Sequence, residues 1–371
     1  MKRKYLSGIF IVVAMAAILS VFLLSNYSKK KSDDKNLTGV ITPLIITEDV
    51  VHDPDDPAIW LHPTDPSQSL IITTDKYGAL FVFGLDGKMK KRKTVRGLER
   101  PNNVDVEYGF MLNGVPIDIA VATERYPSEI RVYKLPDMTE IDDGGIDVFE
   151  GESLQAPMGI ALYKRSTDGA VFAIVSRKEG PTDGTYLWQY RLEDDGTGKV
   201  KGTKVREFGS YSGTKEIEAL AVDDSLGYVY YADERAGVRK YYADPDAKNA
   251  NIELALFATD GFTEDREGIA IYRINDGTGY IIVTDQDSDE LHLYKREGEP
   301  NDPHNHQLVK VVKVLADESD GCEITNATLN QVFPNGLFVA MSDDQTFHFY
   351  SWADIAGDDL IIAPDGERLV Q

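Results

Sequence analysis

Six stretches of this chain repeat one layout at a period of about fifty residues. They begin at Leu70 (LIITTDKYGALFVFGLDG), Asp118 (DIAVATERYPSEIRVYKLPD), Val171 (VFAIVSRKEGPTDGTYLWQYRLEDDG), Tyr228 (YVYYADERAGVRKYYADPD), Tyr280 (YIIVTDQDSDELHLYKREG) and Gly336 (GLFVAMSDDQTFHFYSW). Successive starts lie 48, 53, 57, 52 and 56 residues apart. Each copy is an apolar run, a polar turn and an alternating run, rich in β-branched and aromatic residues and bounded by Gly, Asp or Pro. That is a β-hairpin pattern. A further short strand precedes each hairpin: PAIWLHP, NVDVEYG, GIALYK, EALAVDD, GIAIYR and EITNATL. GTKVREFG and LVKVVKVL supply outer strands between units. Four strands per unit and six units predict an all-β chain: a six-bladed β-propeller of four-stranded antiparallel blades around a central channel. A β-sandwich would not explain six spaced copies.

The first 36 residues follow another rule. Lys2, Arg3 and Lys4 precede an apolar run from Leu6 to Leu24, and the polar stretch SNYSKKKSDDKN follows. This predicts an export signal or N-terminal membrane anchor plus linker, with residues 37–371 as the propeller domain. An exported protein, secreted or tethered on the outer face of the membrane, is the expectation. A single cysteine, Cys322, excludes a disulfide within the chain. The formal charge of −23 argues against nucleic acid as a partner, because phosphate backbones need basic surfaces. It suits a protein that binds cations.

Aligned on their first strands, five of the six units carry an acid at the strand start: Asp55 and Asp56, Asp105, Glu218, Asp265 and Glu267, and Glu323. The third unit has Met158 there. On a propeller these positions converge at one end of the channel. Converging carboxylates repel unless protonated or bridged by cations, and hard oxygen donors in that number suit Ca2+. Adjacent Asp55 and Asp56 should point to different sides and serve different sites. The turns inside the hairpins add Lys76, Arg125, Lys178 with Glu179, and Glu234 with Arg235. Acids that hold metal ions, flanked by Lys and Arg, form a trap for phosphate.

Other chemistries find no support. None of the six histidines sits in an R-H-G setting, no G-x-S-x-G or P-loop occurs, and Cys322 has no arginine cradle after it. DQDSDELHLYKR starts like an EF-hand loop at Asp285, but Glu290 occupies the glycine position and Arg296 the closing glutamate. His304 and His306 in PHNH read as a solvated loop pair.

DDPAIWLHP (Asp55 to Pro63) and NNVDVEYG (Asn102 to Gly109) resemble the two signature motifs of the β-propeller phytases, the alkaline calcium-dependent 3-phytases. The similarity runs from about Thr47 to Ala353. It implies a six-bladed propeller that hydrolyses phosphomonoesters of myo-inositol hexakisphosphate, taken as its calcium complex by a monomeric enzyme. It also implies several calcium ions and attack by a calcium-bound water. By this resemblance Lys76, Arg125, Lys178 and Glu179 contact phosphate. Asp55, Glu218, Glu234, Asp265 and Glu267 ligate calcium in the channel. Asp56, with backbone oxygens of Pro57 and Val104, forms a structural calcium site, and Glu323 falls near the end of a further ligand stretch. Met158 stands where the family often has a tyrosine, and MSDD in the last unit departs from the expected AQD. A phosphoesterase for another monoester, and a non-catalytic propeller that binds a ligand or the cell envelope, are the alternatives.

Overall fold

The structure is a computed structural model that describes residues 39–364. The chain divides into two units, Met1–Val40 and Ile41–Gln371. The expected export segment lies outside the described residues. Among the described residues no helix is long and apolar enough to cross a membrane.

The second unit is the six-bladed propeller that the repeat predicts, nearly all β with, among the described residues, one α-helix of five residues, Trp352–Ala356. Counting outward from the channel, blade 1 is Pro54–Trp60, Leu70–Asp75, Ala79–Gly84 and Val95–Arg96. Blade 2 is Pro101–Leu112, Val115–Glu124, Glu129–Lys134 and Thr139–Glu140; blade 3 is Pro157–Lys164, Val171–Arg177, Leu187–Asp194 and Val200–Phe208. Blade 4 is Leu220–Asp223, Tyr228–Asp233, Gly237–Tyr242 and Ala255–Phe257; blade 5 is Arg266–Arg273, Gly279–Asp285, Glu290–Lys295 and Leu308–Val314. Blade 6 has three consecutive strands, Cys322–Thr325, Leu337–Ser342 and Thr346–Ser351. Its fourth comes from the other end of the domain: Ile45 pairs with Phe349 and Ile46 with His348. The ring is closed by a strand that precedes the first blade.

Alternation explains why the second strands read as unbroken apolar runs. Each is buried on both faces, because each blade packs between two others. In blade 1, Ile71 joins the core shared with blade 6, and Ile72 the core shared with blade 2. The buried apolar residues form six such clusters, one at each junction between neighbouring blades.

The inner strands carry a repeated irregularity. In blades 1, 2, 3 and 5 the pairing with the second strand slips at its head, between Pro54 and Pro57, Pro101 and Val104, Pro157 and Ile160, and Arg266 and Ile269. A bulge of this kind bends the strand and re-aims its side chains. Its geometry needs small residues where inner strands approach each other. A Cβ on Gly159 would lie 1.8 Å from the Glu218 carbonyl oxygen, and one on Gly321 would lie 2.7 Å from Asp56 Oδ1.

His306 corrects the reading of PHNH as a solvated pair. It is buried; its Nδ1 lies 2.7 Å from the Lys295 carbonyl oxygen and its Nε2 3.1 Å from Lys240 Nζ. A long loop needs such an anchor to lie against the sheet, and the ring supplies it between Phe257 and Tyr230.

Gly159→Ala should destabilise the fold by about 1–3 kcal/mol, the usual consequence of forcing an extra methyl into closed packing. Gly277→Ala, where the nearest atom is 3.7 Å away, should leave stability unchanged. Denaturant melts of the two variants check this.

Candidate active site

Register in the six blades decides which residues are equivalent. The last residues of the second strands are Asp75, Glu124, Arg177, Asp233, Asp285 and Ser342. Two residues before each, the inner-strand partner is Pro57, Val104, Ile160, Leu220, Ile269 or Cys322. Stepping back two positions gives the ring at the channel mouth: Asp55, Asn102, Met158, Glu218, Glu267 and Asp320.

A second ring lies one residue past the second strands: Lys76, Arg125, Lys178, Glu234, Gln286 and Asp343. One device positions all six. The backbone N–H of each donates to a carbonyl in the loop ahead of its own inner strand: Asp53 (2.8 Å), Arg100 (2.9 Å), Ala156 (2.8 Å), Glu216 (3.4 Å), Asp265 (3.3 Å) and Asp317 (2.9 Å). The ring is polarised, with three cations on blades 1–3 and no cation on blades 4–6.

The side chains knit the rings together. Lys76 Nζ lies 3.1 Å from Asp55 Oδ1 and 2.9 Å from Asp320 Oδ2. Arg125 donates to the Asn102 side-chain oxygen and lies against Met158 Sδ, while the Asn102 amide donates to Glu218. Lys178 Nζ holds Glu216 at 2.7 Å. Glu216, Glu218 and Glu234 bring one oxygen each within 4.8 Å of one another, and so do Glu234, Asp265 and Glu267. Arg235 pairs with Asp265, which also lies 3.0 Å from Lys215.

The expected residues therefore fall into two groups. Lys76, Arg125, Lys178, Asp55, Glu218, Glu234, Asp265 and Glu267 gather at the mouth. Glu179 follows Lys178 and belongs to neither carboxylate triad. Asp56, Pro57, Val104 and Glu323 line the channel below. Adjacent Asp55 and Asp56 do separate: Asp55 meets Lys76, and Asp56 Oδ2 accepts from the Val104 N–H at 3.0 Å.

The expectation that every strand-start acid converges at one end needs correction for Asp105 and Glu323. In register they match Ala58 and Ala270, three residues deeper than Asp55 and Glu267. Asp105 ties two inner strands, accepting from the N–H groups of Val106 and Leu162 at 2.6 Å each. The mouth positions of those blades are Asn102 and Asp320, which reading the sequence missed along with Gln286 and Lys215. The missed signal was the strand end: counting back from the second strand finds both, across the bulge in blade 2 and directly in blade 6.

Burial and mutual repulsion set the proton affinities. Burial, with Glu218 next, pushes the Asp55 carboxyl well above its ordinary value. Glu267 is raised in the same way by burial and then Glu234. Glu234 is raised to about 8 by burial, Glu216 and Glu218, and Asp320 to about 6 by burial against the pull of Lys76. Glu218 alone is held low: burial opposes its charge, but Lys76, Arg125 and hydrogen bonds to its oxygens outweigh that. Burial works against the Lys76 ammonium too, yet Asp55, Glu218 and Asp320 keep it charged.

The donors fit a hard divalent cation. Glu234 is 0 % exposed, and neither of its carboxylate oxygens has a hydrogen-bond partner among the described residues. A carboxylate buried that way is stable only if protonated or bound to a cation. Glu216, Glu218, Asp265 and Glu267 offer further oxygens beside it, with no thiol or imidazole in either triad. Such a set suits an oxygen-seeking ion.

Comparison with known proteins places the chain in a family. The family model described as Phytase matches residues 6–359. The chain belongs to the phytase family. It is 33% identical over 318 residues to the 3-phytase of Bacillus subtilis (strain 168), covering 81% of this chain and 80% of that one. The enzyme is thus a 3-phytase, a phosphoric monoester hydrolase acting on phytate. A solved luciferin-regenerating enzyme aligns with 86% of this phytase and 98% of its own chain, at 13% identity and a TM-score of 0.49.

Freed of cations by chelator, the enzyme should lose stability as pH rises from about 4.5 to about 8. A carboxyl with a folded value above its unfolded one favours the fold while protonated and penalises it once ionised. The loss from Glu234 is on the order of a few kcal/mol. Thermal melts across pH should show that fall, and Glu234→Gln should flatten it.

Proposed function

We propose that this phytase is calcium-dependent and hydrolyses phosphomonoesters of myo-inositol hexakisphosphate by direct attack of water, with no covalent enzyme intermediate. The observation that carries this reading is Glu234, a buried carboxylate with two unpartnered oxygens, shared by two carboxylate triads. Glu216, Glu218, Glu234, Asp265 and Glu267 would hold calcium at the mouth, and Asp55 lies beside Glu218. Asp56 and the backbone of Pro57 and Val104 would hold a structural ion below. Calcium, when bound, supplies Lewis acidity and offsets the charge of the phosphate.

The chain's own residues do the rest. Lys76, Arg125 and Lys178 approach from three consecutive blades and take the charge that builds on the equatorial phosphate oxygens. Salt bridges to Asp55 and Asp320 fix the Lys76 ammonium before substrate arrives, so its orientation costs little at the moment of reaction. Asn102 fixes Arg125 against Glu218 in the same way. The attacking water forms a bond to phosphorus, the ester P–O bond breaks, and the proton passes to the departing inositol oxygen. Glu179 or a mouth carboxylate orients that water. Phosphate and lower inositol phosphates leave. Export of the enzyme is part of this reading and rests on the sequence of residues 1–36 alone.

Phosphate release from phytate by the purified enzyme should require added calcium and stop with excess chelator. Release that persists in chelator would overturn the calcium reading, and equal turnover of simple monoesters would overturn the substrate. Lys76→Ala should lower kcat by roughly a hundredfold, the usual effect of removing one preorganised donor to a transition-state oxygen. Glu234→Gln should instead raise the calcium concentration needed for half-maximal rate, measured by calcium titration at saturating phytate.

A further inference from the structure

Blade 5 carries a second constellation that the calcium reading does not use. The strand-end acid Asp285 is buried and its Oδ2 accepts from the Thr263 N–H at 2.7 Å. Its Oδ1 has no hydrogen-bond partner among the described residues. Across the hairpin, Asp285 pairs with Glu290 and Val283 with His292. His292 thus takes the position that Arg131 holds opposite Ala122 in blade 2, and Arg239 opposite Tyr231 in blade 4. Each arginine salt-bridges its own strand-end carboxylate, Arg131 with Glu124 at 3.0 Å and Arg239 with Asp233 at 2.9 Å.

His292 does not repeat that bond. Its Nε2 stops 3.9 Å from Asp285 Oδ2 and 3.8 Å from Glu290 Oε2, beyond hydrogen-bond reach. It is 2 % exposed, and neither ring nitrogen has a hydrogen-bond partner among the described residues. Leaving a buried nitrogen unsatisfied costs about 1–3 kcal/mol. Phe262 stacks on the ring at 4.1 Å and also carries the Arg266 guanidinium, which limits how far the imidazole can turn away. Burial lowers the affinity of His292 for a proton, against the pull of Asp285 and Glu290, so the ring is a neutral donor of an electron pair.

We propose that Asp285, Glu290 and His292 form a binding site for a transition-metal dication of the zinc class, separate from the oxygen-only mouth. Their ligand atoms lie within 4.8 Å of one another. Two ligands each about 2.1 Å from one ion stand at most about 4.2 Å apart, so the imidazole already lies at bridging distance from both carboxylates. Glu290 is only half-buried, and its side chain closes the remaining gap by a rotamer change. One imidazole with two carboxylates is a nitrogen–oxygen set that zinc, cobalt and nickel favour over calcium. The ion would clamp the hairpin Gly279–Lys295 and, through the Thr263 bond, the loop that leads into Asp265. Calcium ligation at the mouth is not assumed.

The full chain, stripped of transition metals and kept in saturating calcium to fill oxygen-only sites, is titrated with Co2+ and its visible ligand-field absorption recorded. Expected are one Co2+ per chain, displacement by Zn2+, and at least tenfold weaker binding in both His292→Ala and Glu290→Gln. Absence of the absorption in the unaltered chain would overturn the site. So would binding that survives both substitutions, which would place the ion on other carboxylates. Should His292→Ala fail to fold, Glu290→Gln at the hairpin surface decides alone.

Discussion

The bulge at the head of the inner strands is what lets a propeller with apolar blade junctions carry a charged mouth. A regular strand would send alternate side chains to the channel and to the neighbouring blade, so two consecutive acids could not both be used near the axis. The slip between Pro54 and Pro57 frees Asp55 to meet Lys76 while Asp56 reaches the next inner strand. The same slip in blades 2, 3 and 5 sets Asn102, Met158 and Glu267 at the level of Asp55. Glycines at 159, 268 and 321 follow from it, because adjacent inner strands then run too close for a Cβ.

Charge is distributed around the mouth by blade. In the ring past the second strands the cations stand on blades 1–3, while Lys215 and Arg235 of blade 4 are both paired with Asp265. The two halves meet through Lys76 with Asp320, and through Lys178 with Glu216. Under the proposed function, a phosphate that bridged them would exchange those internal ion pairs for contacts to itself, so its entry would displace interactions already present. Burial and the neighbouring carboxylates raise the proton affinities of Asp55, Glu234 and Glu267, as expected of a site built to take a cation.

Much of this was legible in the sequence because period and composition are local. The six hairpins, their inner strands and the outer strands Val200–Phe208 and Leu308–Val314 follow from alternation and turn residues. The mouth residues Lys76, Arg125, Lys178, Glu218, Glu234 and Glu267 follow from their place at strand ends. What alternation cannot convey is register. Asp105 and Glu323 sit at the starts of their apolar runs, but the pairing with the second strand puts them deeper than Asn102 and Asp320. His306 was read from its polar neighbours, whereas Lys240 and the carbonyl of Lys295, distant in sequence, determine its burial. His292 looks like one more alternating residue until the hairpin sets it opposite Val283. The fourth strand of blade 6 was invisible for a simpler reason: its partner lies some three hundred residues away.

That closing strand ties chemistry to assembly. Lys76 belongs to the first blade and Asp320 to the last, and their contact crosses the seam that Ile45 and Ile46 seal. A chain emerging from synthesis can stack its early blades in order, yet the mouth stays an open crescent until the final hairpin meets the start of the domain. Only then do the fixed ammonium and its two carboxylates coexist. The mouth is therefore a property of the finished circle, acquired at one late step.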